Sequence, residues 1–300
     1  MRTKNYLLLL LFVVSANLFS QNYVPFTPRF DQDLRGDMLL IGNNILNRSS
    51  GGGVNAPYNG SNDNGSLDMQ YIDIDGDAST FSSSSADLAI TGSTCYKIKY
   101  AGLYWGALLQ SGSRTDINKV KLKLPGGAYQ NITGSVIYDA NATPINGGKP
   151  YACYADITAA VTALATPTGT YTVANVLSST GSNGGLGLSA GWSIFIVYED
   201  PTLTAKSIVS FDGFSGIDGS TNLNIPVSGF RTIPVGPVRA KFAFTALEGD
   251  QPFTGDFLQI NGTAMSTAQR PANNFFNSSI TTTAGFFTTR NPNSTNTLGY

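Results

Sequence analysis

The segment Gly187-Leu188-Ser189-Ala190-Gly191 has the spacing of a nucleophile elbow, where a serine between glycines is exposed on a sharp strand-to-helix turn. That chemistry needs a general base, and the chain contains no histidine. The context is also reversed, because glycine-rich sequence precedes Ser189 and the β-prone run 192–198 follows it. A glycine turn leading into a strand accounts for the pattern better than a hydrolase site. Lack of imidazole likewise removes Ser-His-Asp triads, Cys-His pairs and histidine-ligated zinc or haem.

Carboxylates are the next candidates. Asp73, Asp75 and Asp77 alternate in Asp73-Ile74-Asp75-Gly76-Asp77, the way calcium loops gather hard oxygen ligands. The pattern departs from an EF-hand in its early glycine and in Ser84 at the twelfth position. It therefore reads either as a looser extracellular calcium site, with calcium the one cofactor considered, or as a turn whose aspartates cap local N–H groups. Glu248, Asp250 and Asp256 form a second acidic group, and nothing in their spacing marks a glycosidase pair. Trp105 and Trp192 sit in apolar runs and are expected in a core rather than on a sugar platform. Phe211 and Phe214, and Phe275 and Phe276, fall in loop-like sequence and are the candidate partner contacts. Cys95 and Cys153 are either a disulfide or two buried thiols, and two cysteines are too few for structural zinc.

The elements that must position these residues are mostly strands. Residues 1–20 carry Arg2 and Lys4, an apolar run over 7–14 and a small-residue exit, which is the layout of a secretory signal peptide. The run is shorter than the roughly 20 residues that span a bilayer. Of 19 acidic residues only Glu199 and Glu248 are glutamates, and aspartate favours turns where glutamate favours helices. Charged residues are 12% of the chain and the net charge is −1, so there is no basic footprint for nucleic acid or anionic lipid. Strands are predicted at 38–41, 69–74, 96–105, 119–124, 135–138, 171–176, 192–198, 207–211, 238–245 and 257–260. The run 192–197 is apolar throughout, as suits a strand covered on both faces. One helix is predicted over 156–164, and long loops over 43–68 and 177–187. The expected fold is all-β: a large antiparallel, jelly-roll-like β-sandwich with one short helix, forming a single domain over 21–300.

Several motifs together carry a resemblance. YVPFTPRFDQDLRGDMLLIGNNIL, YIDIDGDASTFSSSSADL, YKIKYAGLYWGA, YACYADITAAV, SAGWSIFIVYEDPTL, FDGFSGI and RPANNFFNSSI occur in order over about residues 22–300. In this the chain resembles the N-terminal domain of very large surface proteins of gliding bacteria, exported by type IX secretion. The resemblance implies a non-catalytic, secreted or cell-surface, adhesin-like role in attachment or gliding. In that family repeated β modules and a C-terminal sorting domain follow, so it also implies a chain truncated at its C-terminal end. Expected partners are an extracellular polymer, carbohydrate or protein, and further β modules of the same chain. The rival expectation is a jelly-roll protein that binds or processes carbohydrate.

Overall fold

A computed structural model describes residues 21–92, 95–217, 222–232 and 234–300; the signal-peptide expectation at 1–20 lies outside them. The chain forms β1 (Gln21–Asn44), β2 (Leu46–Arg48), β3 (Met69–Tyr71), β4 (Ser83–Leu88), β5 (Lys97–Leu108), β6 (Lys119–Lys123), β7 (Tyr129–Thr133), β8 (Ser135–Asp139) and β9 (Pro150–Asp156). After the short helix α1 (Thr158–Thr162) come β10 (Gly169–Ala174), β11 (Ala190–Glu199) and β12 (Ala205–Gly216). The two-residue strands β13 (Gln259–Ile260), β14 (Thr263–Ala264), β15 (Thr281–Thr282), β16 (Gly285–Phe286) and β17 (Arg290–Asn291) complete the set.

These strands make an antiparallel β-sandwich. One sheet runs β12-β1-β11-β5-β9-β8 and the other β17-β4-β10-β6-β7. The chain passes repeatedly between sheets, from β4 to β5, β5 to β6, β7 to β8, β9 to β10 and β10 to β11, which gives the jelly-roll-like character. Alternation decides what each strand buries. In β6, Val120 and Leu122 point inward and the three lysines outward. Strand β11, third of six, is buried through Tyr198 because both its faces are covered.

The main core lies between the sheets. Trp192 faces Trp105 across the β11–β5 ladder, and Trp105 faces Cys153 across β5–β9. Both indole N–H groups are satisfied, Trp105 donating to the Ile117 carbonyl at 2.8 Å and Trp192 to Ser84 Oγ at 2.8 Å. A second, smaller core of Phe30, Leu34, Tyr100, Tyr154, Phe195, Val197 and Ile208 covers the other face of the six-stranded sheet. The first half of β1 pairs with β12 and the second half with β11, with register shifts around Val24, Thr27 and Phe30. Pro25 and Pro28 fall among these irregularities, where a missing N–H costs least, and such bulges bend the sheet into a half-barrel.

Loops are held by arginine. Arg48 donates to the carbonyls of Gly51 and Ala56 at 2.5 and 2.8 Å, and Arg114 donates to that of Leu109 at 2.5 Å and pairs with Asp139 at 2.6 Å. Arg270 reaches Phe275 O at 2.6 Å and Ser279 O, while Arg290 reaches Phe287 O and Asn43 Oδ1 at 2.9 Å each, and Ser294 O.

Four expectations need correction. Residues 238–245 do not form a strand and 257–260 shortens to β13. The stretch 43–68 is not simply loop, since β2 and a 3-10 turn at Asn64–Ser66 fold it against the body with Asn47, Arg48 and Asn64 buried. The Cys95–Cys153 bridge is not formed. Cys95 is exposed two residues before β5, and Cys153 is a buried thiol opposite Trp105 in that strand. Ten residues of strand, at about 3.3 Å each, put them roughly 30 Å apart, far beyond the ~7 Å a disulfide tolerates.

Candidate partner surface

Residues 222–258 cross the outer side of the six-stranded sheet without joining it. Pro226, Pro234 and Pro237 interrupt the stretch, each removing a donor that a ladder would need. A few residues tie it down. Arg231 pairs with Asp33 at 2.5 Å and its backbone N–H donates to Ser207 Oγ at 3.1 Å. Lys241 donates to the Met38 carbonyl at 2.8 Å and lies 3.2 Å from Asp37 Oδ1. The Thr245 and Ser193 hydroxyls meet at 3.0 Å. Val238, Phe242 and Phe244 are 56%, 50% and 40% exposed, with Phe244 resting against Phe275 and Phe276.

The stretch is tethered at a few points and exposed on both sides, the Arg231 and Lys241 side chains being 84% and 43% open. Ile225, Val227, Phe230, Val235, Phe253 and Phe257 are also exposed along it. Nine large apolar side chains, five of them phenylalanines, are thus exposed along one stretch, where single scattered ones are the rule on a monomer. Its tethers are exposed ion pairs, worth about 0–1 kcal/mol each. No backbone–backbone hydrogen bond is made between residues 222 and 247 among the described residues. The arrangement offers unpaired main chain beside apolar side chains, which is what an incoming strand requires.

The residues singled out from sequence are dispersed. Asp73 accepts from Ser83 Oγ at 2.9 Å, Asp75 from the Tyr129 hydroxyl, and Asp77 from the Ser79 N–H at 2.8 Å. All three serve the turn, and no three carboxylates converge at metal-ligating distance among the described residues. Phe275 is buried, packed edge-on against Phe276 and beside Phe244, so it belongs to the interior of the C-terminal region. Phe214 stacks on Tyr138 at 4.7 Å, and Phe211 sits in β12 opposite Pro28. Trp105 and Trp192 are 2% and 0% exposed, so neither forms a sugar platform.

Glu248 is set apart by its surroundings. It has a left-handed backbone, φ +63°, and its carboxylate accepts from Asn64 Nδ2 at 2.9 Å beside buried Ser189. Burial pushes its pKa up to about 7, against the hydrogen bond from Asn64. Asp250 is pushed up to about 6, by burial and then by Asp63. Asp256 lies apart, accepting from the Phe276 N–H at 2.7 Å.

The exposed side chains of 225–257 are what sequence reasoning missed. The alternation over 238–245 predicts a strand, but apolar period alone does not say whether a neighbouring strand or layer covers it. The three nearby prolines were the available signal. No family model, no curated protein and no solved structure matches the chain.

Proposed function

We propose that the mature chain is a non-catalytic, adhesin-like module of the cell surface that attaches to an extracellular protein partner through residues 222–258. One observation carries this reading: a proline-punctuated segment, tethered to the sheet at Arg231 and Lys241 by exposed ion pairs, leaves its valines and phenylalanines widely open to solvent. Apolar surface of that extent is the mark of a contact face, and unpaired main chain beside it suits addition of a strand from another polypeptide. The signal-peptide layout of residues 1–20 supports an extracellular setting. The resemblance to surface proteins of gliding bacteria supports attachment as the role.

The test is retention under flow. Beads coated with residues 21–300 are passed over immobilised extracellular-matrix protein, immobilised neutral polysaccharide and albumin. Retention on the matrix protein that falls at least ten-fold for Phe242→Asp is the expected result. Equal retention of wild type and variant on every surface overturns the proposal. Release of reducing sugar from the polysaccharide lane would instead favour the carbohydrate-active reading.

A further inference from the structure

A cavity adjoining the apolar segment, with which it shares Gln251, lies where the C-terminal region meets the loop at Asn59 and Gly60. Five carboxamide side chains line it, those of Asn59, Gln251, Gln269, Asn277 and Asn296, together with the ring of Phe286. No ionisable side chain lines it.

The three asparagines are locked. Asn59 Oδ1 accepts from both the N–H and the hydroxyl of Thr295 at 2.9 Å. Asn296 Nδ2 donates to the carbonyls of Gly60 and Asn62 at 3.0 Å each. Asn277 donates to the Gln269 carbonyl at 2.8 Å and accepts from the Ser279 hydroxyl at 2.6 Å. The two glutamines differ: neither side-chain amide donates to any described residue. Each keeps two N–H donors and a carbonyl acceptor. Phe286 is 39% exposed at the wall.

Fixed walls, two uncommitted amides and one aromatic face define the ligand by chemistry. It must be uncharged, because no ion is present to pair with a charge and desolvating one would cost heavily. It must offer adjacent donors and acceptors, since each amide presents both. It must also have an apolar flank to lie on the ring. A neutral sugar ring has all three: vicinal hydroxyls on its edge and C–H groups on its face. The cavity is about 100 Å³, well below the roughly 300–1,000 Å³ of pockets that engulf a whole ligand. One ring at a chain end or branch fits that space better than a polymer lying flat.

We infer that the Gln251–Gln269–Phe286 cavity is a binding site for a single neutral hexose or N-acetylhexosamine unit of a larger glycan. It would give the module a carbohydrate contact next to the protein contact made by residues 222–258, with Gln251 at their border.

The test uses residues 21–300 and follows backbone NMR shifts during titration with glucose, galactose, mannose and N-acetylglucosamine. At least one should shift the Gln251, Gln269 and Phe286 amides and saturate in the millimolar range. Gln251→Ala and Gln269→Ala should each weaken binding about ten-fold, the effect of one or two lost hydrogen bonds. Both side chains reach solvent, so a melting curve checks that the variants remain folded. Phe242→Asp should leave sugar binding unchanged, which separates this site from the proposed contact face. Three results would overturn the inference: no shift at 50 mM of any sugar, shifts that survive in the double variant, or saturation by short uncharged peptides in place of sugars.

Discussion

At the scale of single residues, the buried acids beside Asn64 set the response to pH. Burial raises Glu248 to about 7 and Asp250 to about 6, whereas an unfolded chain releases these protons near pH 4. The folded state therefore binds more protons between those limits. Their contribution to stability is full below about pH 4 and is lost as pH rises through about 6 to 7. Glu248→Gln keeps an acceptor for the Asn64 amide and removes the titration. It is expected to abolish about 2 kcal/mol of the stability lost between pH 5 and 8, read from urea melts at each pH. The DIDGD turn acts in the opposite sense. Burial raises Asp75, but the Tyr129 hydroxyl and the Asp77 N–H outweigh it and hold the carboxyl below its usual range. Asp77 is held low chiefly by the Ser79 N–H. These contributions are present above pH 4 and fade in stronger acid, so stability should be greatest in mildly acidic solution.

At the scale of elements, what the sequence made legible depended on whether one face of a strand met a second layer. Lys119–Lys123 alternates because its inner face packs in the sandwich, and 192–198 is apolar because β11 is covered on both sides; both were readable. Strand β4 was missed because its buried positions are serines, one of which, Ser84, accepts the Trp192 indole N–H. Most of β1 was missed because its prolines and charges belong to a bulged, curling ribbon. The stretch 238–245 failed in the other direction, its strand-like period joining neither sheet. Hydrogen exchange separates these cases. Amides of residues 225–247 should exchange at close to unstructured rates, while those of 192–198 should be protected up to the global unfolding limit. Equal protection of the two would show that the segment is paired after all. The candidate surface was thus half legible: the alternation could be read, but not that the segment stays outside both sheets, tethered by contacts such as Lys241 to Asp37, more than 200 residues away in sequence.

At the scale of the whole molecule, a carrier of only 12% charged residues and net charge −1 has little long-range field with which to steer a partner. Attachment would have to come from short-range contact, which fits an apolar stripe better than an electrostatic one. The stripe is also separable from the fold. Phe242→Asp changes a solvent-facing side chain and should leave unfolding free energy within about 0.5 kcal/mol of wild type, while retention on a protein-coated surface collapses. A comparable loss of stability would instead mean that the segment is part of the core.

The arginine-held loops bear on how long such a molecule would last outside a cell. A guanidinium grip cannot be stripped by a chelator and offers nothing for a thiol to reduce. Loops gripped by Arg48, Arg114, Arg270 and Arg290 therefore keep their shape by means that scavenged metal or changing oxygen tension does not touch. Neither EDTA nor dithiothreitol is expected to move the melting midpoint by more than about 1 °C, a shift worth only a few tenths of a kcal/mol. That indifference to reductant and chelator is something neither a cystine bridge nor a calcium loop provides.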